Sequence, residues 1–163
     1  MASHTFDIVF IGSGPGGYVS AIRAAQLGMK AAVVEKGHLG GVCLNWGCIP
    51  TKALLRNAEV IAMYKRKAEW GVTFSNFSAN FGKAVKRSRE VAELSEKGVD
   101  FLFKKNKITV LRGAGRLTAK KTVQVQESGG KTIDEISAKY IVLATGASPR
   151  SLPGMEFDGR QIL

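Results

Sequence analysis

The N-terminal third of the chain alternates short apolar runs with helical spacing. Phe6 to Ile11 is a run of β-branched and aromatic residues and reads as a buried strand. Tyr18 to Leu27 predicts a helix: Tyr18, Ala21, Ile22 and Ala25 share a face, and Gly28 stops it. Lys30 to Val34 predicts a second strand, ending at Glu35. The three elements form a βαβ unit of about thirty residues. After a connecting loop, Lys36 to Leu39, and a glycine- and cysteine-rich stretch, helical spacing returns at Thr51 to Tyr64. Leu54, Ala58 and Ile61 lie on one face there, with Leu55 and Ala62 beside them.

A second long helix is expected from about Ala79 to Lys105, its stripe including Ala84, Val91, Leu94, Phe101 and Leu102. Gly98 inside it suggests a close helix contact. From Lys107 short strands follow: Ile108 to Leu111, Gly115 to Leu117, Thr122 to Gln126 and Thr132 to Ile136, with a turn at Glu127 to Lys131. They read as a small antiparallel meander placed before a last core strand, Tyr140 to Thr145. The expected fold class is α/β, in three layers. Its parallel sheet holds strands 6–11, 30–35 and 140–145, and the meander lies near 108–136.

Composition narrows the class. A chain of 163 residues with 45% hydrophobic content is one domain with room for a sizeable core. No apolar run is long enough to cross a bilayer, and the start is neither a secretory signal nor an Arg-rich transit peptide. The expectation is a cytoplasmic protein with no membrane partner. The net charge of +11 raises nucleic acid as a partner. However, Lys83, Lys86, Arg87 and Arg89 lie mostly off the helix stripe and read as a solvated face. No RNA-binding motif accompanies them, so no nucleic acid is expected.

Two stretches carry candidate chemistry. Gly12-Ser13-Gly14-Pro15-Gly16-Gly17 falls between the first strand and its helix. Gly12 permits the tight turn, Gly14 lets backbone approach a pyrophosphate, and Gly17 lets helix and strand pack closely. The pyrophosphate then rests on free N–H groups at the helix N-terminus. Glu35, eighteen residues beyond Gly17, is placed to accept hydrogen bonds from ribose hydroxyls. The motif predicts a dinucleotide site and does not choose between FAD and NAD.

The second stretch, Gly40 to Lys52, holds both cysteines, Cys43 and Cys48. Disulfide Cα atoms lie about 4.4–6.8 Å apart, whereas five extended steps span roughly 16 Å. The segment must therefore coil back, with Gly47 supplying the bend. Pro50 suits the first turn of the following helix. Cys48 then sits at a helix N-terminus, where the dipole favours a thiolate, and Cys43 sits in the preceding loop, more reachable from outside. A redox pair and two incidental buried cysteines both fit this spacing. Zinc fits less well, because only His4 and His38 could join the cysteines, and no metal site is expected. His38 reads as an ordinary exposed loop residue.

Taken together, Gly12 to Gly17, Glu35, the Cys43 to Lys52 stretch and Ala144-Thr145-Gly146 resemble the pyridine nucleotide–disulfide oxidoreductases. Within that family, Cys-Leu-Asn-Trp-Gly-Cys-Ile-Pro-Thr-Lys-Ala-Leu-Leu is most similar to the dihydrolipoamide dehydrogenase branch, while glutathione and mercuric reductases use close variants. The resemblance runs from Phe6 to the end of the chain. It implies a Rossmann-like FAD-binding domain over residues 1–150, with 151–163 starting a connection to further domains.

The resemblance also implies roles. FAD would be held by Gly12, Ser13, Gly14, Pro15, Gly16 and Gly17 at its pyrophosphate and by Glu35 at the adenosine ribose. Lys36, Gly41, Val42, Cys43, Lys52, Ala114, Gly115, Ala144, Thr145 and Gly146 would complete the cofactor site. Cys48 would interact with the flavin and Cys43 would exchange with the dithiol. Electrons would pass from dihydrolipoamide, carried on the lipoyl domain of an acyltransferase, through the disulfide and FAD to NAD. Complete members are homodimers with a second nucleotide-binding domain, a further FAD-binding segment and a His–Glu base supplied by the partner. This chain matches only their N-terminal third: it holds no second GxGxxG, and neither histidine matches that base. The expectation is an enzyme completed by further chain, the alternative a non-catalytic nucleotide-binding fragment.

Overall fold

The structure, a computed structural model, describes residues 3–119 and 121–162. Strand β1, Ser3–Ile11, is followed by helix α1, Pro15–Gln26, and strand β2, Ala31–Glu35. A short helix α2, Gly41–Asn45, leads into α3, Cys48–Lys65, and a 3-10 turn, Lys67–Trp70. Helix α4, Phe81–Lys105, returns the chain to β3, Thr109–Arg112. Strands β4, Ala114–Ala119, β5, Thr122–Gln126, and β6, Thr132–Leu143, complete the regular structure.

One sheet runs in the order β3-β2-β1-β6-β5-β4. The first four strands are mutually parallel, and β5 and β4 extend the sheet antiparallel from β6. Both faces of the parallel part are covered, which explains its apolar strands. Side-chain alternation divides them. Phe10, Ala31 and Val33 point to the helices with Ala21, Leu39, Val99 and Phe103. Val9, Ile11, Ala32 and Val34 point to the meander and meet Val123, Val125, Ile136 and Ala138. The result is the expected three-layer Rossmann-like arrangement.

Two strand expectations need correction. The strand near 108–111 belongs to the parallel sheet beside β2, not to the meander. Thr132 to Ile136 and Tyr140 to Leu143 are one continuous strand, whose first half pairs with β5 while Glu135 to Leu143 flanks β1. A short apolar run carries no sign of its partner's direction, so sequence pattern could not settle either point.

Helix α4 also turns a different face inward. Asn80 caps it, its Oδ1 accepting the Lys83 N–H at 2.9 Å. The buried positions are Ser88, Ala92, Val99 and Phe103, whereas Leu94 is 71% and Phe101 63% exposed. The expected stripe followed bulk; the actual seam is lined by small residues, so that α4 can approach α3 closely. Gly98 meets nothing within 4 Å and makes no close helix contact. On α3 the inward residues are Pro50 and Ala53, with Leu54 and Ile61 half-buried and Ala58 exposed.

These faces give opposite expectations for two large residues of α4. Phe103→Ala should cost about 3–5 kcal/mol, because it empties a fully buried site. Leu94→Ala should stay within about 0.5 kcal/mol. Urea unfolding of both variants checks this, and comparable losses would contradict the assigned face.

Candidate functional site

The site gathers at the carboxyl ends of the parallel strands, where open α/β sheets place their crevices. The Gly12 N–H donates to the Val34 carbonyl at 2.8 Å, so the chain leaves β1 still tied to β2. Gly12 has φ +100°, and a Cβ there would lie 2.3 Å from the Ala144 carbonyl oxygen. A Cβ at Gly17 would lie 2.0 Å from the Gly12 oxygen. Helix α1 can therefore rest directly on the strand end only without side chains at both positions. Gly14 caps α1 and Pro15 begins it.

Gly14 differs from its neighbours. A Cβ built there meets nothing within 4 Å. The N–H groups of Gly14 and Gly16 donate to no acceptor among the described residues. Open room beside free N–H groups at a helix N-terminus fits a pyrophosphate.

Glu35 closes the adjoining side. Its Oε2 accepts the Ser13 N–H at 2.8 Å and the Ser13 hydroxyl at 2.6 Å, and its Oε1 accepts the Gly37 N–H at 2.8 Å. Burial pushes this carboxyl up, but the Ser13 hydroxyl and the Gly37, Ser13 and Lys36 N–H groups outweigh it and hold it below its ordinary value. A carboxylate has about four acceptor sites, and these three hydrogen bonds leave room for one more donor, such as a ribose hydroxyl. The Gly113 N–H donates to the Glu35 carbonyl at 3.0 Å and draws Ala114 and Gly115 alongside. A Cβ at Gly115 would lie 2.8 Å from Ile11 Cγ2, so this glycine serves the packing of β4 on the sheet. Ala144 lies against Gly12 and Gly17. Thr145 and Gly146 continue from it on the exposed side, with no hydrogen bond to the glycine turn among the described residues.

The cysteine stretch packs onto this cradle. Gly40 N–H donates to the Ser13 carbonyl at 3.0 Å. Gly41, at φ +62°, comes so close that a Cβ would lie 2.7 Å from Gly14 Cα. Cys43 falls inside α2 rather than in a loop, because Asn45 donates through Nδ2 to the Leu39 and Gly41 carbonyls, both at 2.9 Å, and winds the segment into a turn. Val42 is exposed beside it. Cys48 is the first residue of α3. Accessibility is the reverse of the expectation: Cys48 is exposed, and Cys43 is half-buried against the helical core.

The Cys48 side chain, by hydrogen bonding to the thiol, pushes Cys43 up, with burial and Cys48's charge adding, while the Cys48 N–H and the Lys52 ammonium pull it partly back. Lys52 lies one turn into α3, near enough for its charge to act on Cys43. The Gly47 bend leaves no room for a Cβ, which would lie 3.1 Å from Cys43 Cα and 2.8 Å from the Val42 oxygen.

Four polar side chains were not legible as parts of this site. Asn45 is buried and braces the loop. Arg87 and Arg89 are exposed as expected, and each also ties α4 to neighbouring backbone, Arg89 Nη1 donating to the Asn45 carbonyl at 3.0 Å and Arg87 Nη1 to the Ala53 carbonyl at 3.4 Å. Glu96 accepts the Leu39 N–H at 3.0 Å and meets His38 Nδ1 at 3.1 Å. His38 is exposed as expected, its ring edge against Trp46. Asn45, a turn-forming residue between two glycines, was the one available signal.

Comparison with known proteins gives consistent results. The family model for pyridine nucleotide-disulphide oxidoreductase matches residues 6–162. The chain is 52% identical over 162 residues to a dihydrolipoyl dehydrogenase of Chlorobaculum parvum, covering 99% of this chain and 34% of that protein. It is 48% identical to one of Zymomonas mobilis, covering 99% and 34%, and 46% identical to one of Bacillus subtilis, covering 97% and 35%. The chain thus spans about a third of the length of the curated relatives it matches.

The Glu35 geometry has a pH signature. Ionisation of a carboxyl held below its ordinary value of 4.5 favours the folded chain above that pH, and the contribution is lost as pH falls through the lowered folded value. Glu35→Gln should therefore unfold more easily than the wild type near neutral pH, and the gap should close in acid. Urea unfolding of both proteins from neutral to acid pH checks this; a gap independent of pH would contradict it.

Proposed function

The chain belongs to the pyridine nucleotide-disulphide oxidoreductase family, and from that premise we propose that it is the FAD-binding, dithiol-bearing part of a dihydrolipoamide-oxidising flavoenzyme. The observation that carries this reading is the contact between Gly41 and Gly14. It makes the nucleotide cradle and the cysteine pair one continuous site. A structural cysteine pair would have no need of that contact.

The residues present fit FAD. Gly12 to Gly17 offer the open cradle, and Glu35 the ribose acceptor. Ala114, Gly115 and Lys36 lie beside Glu35, and Gly41, Val42 and Lys52 lie by the dithiol. Ala144, Thr145 and Gly146 border the opposite side. FAD, when bound, supplies a two-electron acceptor that can be reoxidised by NAD.

The cysteines perform the exchange. A substrate thiolate attacks the Cys43 sulfur of the Cys43–Cys48 disulfide, and the Cys48 sulfur leaves as a thiolate at the α3 N-terminus. The second substrate thiol attacks the mixed disulfide and releases Cys43, which takes up a proton. The substrate is left as a disulfide and the protein as a dithiol, so two electrons have moved. Lys52 keeps positive charge beside the pair throughout. We place the substrate on a lipoyl domain and the working enzyme in a cytoplasmic homodimer. Residues 1–150 form the FAD-binding unit, and 151–163 begin the connection onward. No helix among the described residues is long and apolar enough to cross a membrane.

Gly14 offers a clean test of the cradle. A Cβ at this position meets no protein atom within 4 Å, and the backbone is extended there, so Gly14→Ala should fold as the wild type does. It should still lose FAD binding by at least about tenfold, because the methyl group fills the cradle. Equilibrium dialysis with FAD, alongside urea unfolding, separates the two effects. Unchanged FAD affinity would refute the cradle.

The 163-residue chain by itself should bind FAD weakly and should not oxidise dihydrolipoamide with NAD, because it carries no second GxGxxG for a nicotinamide nucleotide. In air-oxidised chain, mild reduction should expose two further thiols. NAD-dependent turnover by the isolated chain, or two free thiols before reduction, would overturn this account.

A further inference from the structure

The cysteine loop is poorly equipped to hold its own shape. Gly40 and Gly41 both have left-handed backbone, at φ +89° and +62°, and Gly47 stands between the cysteines. Glycines lose more conformational freedom on ordering than any other residue. Helices α2 and α3 begin at Gly40 and Gly47 without any side-chain cap. The glycine turn holds the loop's first residues through the Gly40–Ser13 hydrogen bond and the Gly41–Gly14 contact, and the side-chain ties from outside the loop come from a distant element, α4.

Glu96 grips the entry of the loop. Its Oε1 accepts the Leu39 N–H at 3.0 Å, and its Oε2 meets His38 Nδ1 at 3.1 Å. Arg89 grips the middle, donating to the Asn45 carbonyl at 3.0 Å. Asn45 in turn holds Leu39 and Gly41 through its side chain. Arg89 and Glu96 are seven residues apart, so they lie on one face of the helix, about 10.5 Å apart along its axis. Ala92, buried between them, lets α4 approach closely. Further along, α4 is anchored in the core by Val99 and Phe103. A rigid helix therefore holds two points of a glycine-rich loop at a fixed separation.

We propose that Arg89 and Glu96 are positioning residues that hold Cys43 and Cys48 face to face and so favour the disulfide form of the pair. The proposal rests on the redox reading of the two cysteines given above. Forming the disulfide joins two sulfurs and passes two electrons and two protons to an oxidant. With glutathione disulfide as oxidant, the products are the protein disulfide and two molecules of glutathione. A loop already held in register loses little freedom in that step. A released loop loses more, and its disulfide is correspondingly easier to reduce.

The test is the equilibrium constant of the Cys43–Cys48 pair in glutathione redox buffers, read by alkylation and mass measurement on the 163-residue chain. Glu96→Ala and Arg89→Met should each lower the constant for disulfide formation by about tenfold, which is about 30 mV for a two-electron couple. Glu96→Gln should recover most of the wild-type value, because its carbonyl oxygen can still accept the Leu39 N–H. Urea unfolding of each variant accompanies the measurement, and Arg89→Lys, expected to lower the constant in the same direction by less, supplies a milder change should either truncation fail to fold. Unchanged constants in folded variants would overturn the positioning role, including where stability alone falls. A wild-type pair that forms no disulfide in any buffer would overturn the redox reading itself, and with it this proposal.

Discussion

Everything in this site depends on backbone approaching backbone without side chains between. Gly17 lies over Gly12, Gly12 lies under Ala144, and Gly41 lies against Gly14, each at a distance that a Cβ would close to 2.7 Å or less. These contacts join the end of β1, the start of α1, the end of β6 and the cysteine loop into one body. No hydrogen bond could replace them, because the constraint is steric. Ordinary van der Waals contact begins near 3.5 Å between carbon atoms, so even a methyl group at Gly12 or Gly17 would force the layers apart. Among these contacting glycines Gly14 differs: a Cβ on it would meet nothing within 4 Å.

Electrostatics then finishes what packing begins. Ser13 is fully buried, and its N–H and hydroxyl are both spent on Glu35. The carboxylate is thereby kept below its ordinary pKa and fixed in position. Ser13 uses its carbonyl as well, accepting from Gly40. One residue thus links the acid of β2 to the loop that carries the cysteines. On the other side, α4 supplies charge where the loop has carbonyls and a carboxylate where it has an N–H.

Much of this was legible in the sequence, and the failures share a cause. The βαβ unit, the order of glycines and acid, and the helix starting near Cys48 follow from local signals: apolar runs, φ-permissive residues and caps. What escaped was decided by partners distant in the chain. Ile108 to Leu111 looked like meander, because a four-residue apolar run does not reveal that its neighbour is parallel β2. Leu94 and Phe101 looked buried because they are large, while the seam with α3 needed Ser88 and Ala92 because they are small. Arg89 looked only like part of a solvated face, and Glu96 carried no signal, because their partners, Asn45 and Leu39, lie over forty residues away. Asn45 itself shows the same limit, since its side chain bonds locally but its meaning depends on what its carbonyl receives.

The reversal of cysteine exposure bears on how the proposed exchange runs. Cys48 is the exposed sulfur, and accessibility alone would make it the one a substrate attacks. Rate in thiol–disulfide exchange depends as much on the sulfur that leaves, and a thiol of higher pKa leaves more slowly. Attack at Cys48 would expel Cys43, and burial, which pushes this half-buried thiol up, disfavours its leaving as a thiolate. Attack at Cys43 would expel Cys48, at the first position of an eighteen-residue helix whose dipole favours negative charge there. The leaving-group argument therefore opposes the accessibility argument. Cys43 is half-buried rather than sealed, so reaching it costs a modest local adjustment in a loop already rich in glycine. Expelling a poor leaving group slows every turnover, and no adjustment of the loop relieves it. On that comparison the leaving-group argument favours Cys43 as the sulfur attacked in the proposed exchange, even though Cys48 is the exposed one.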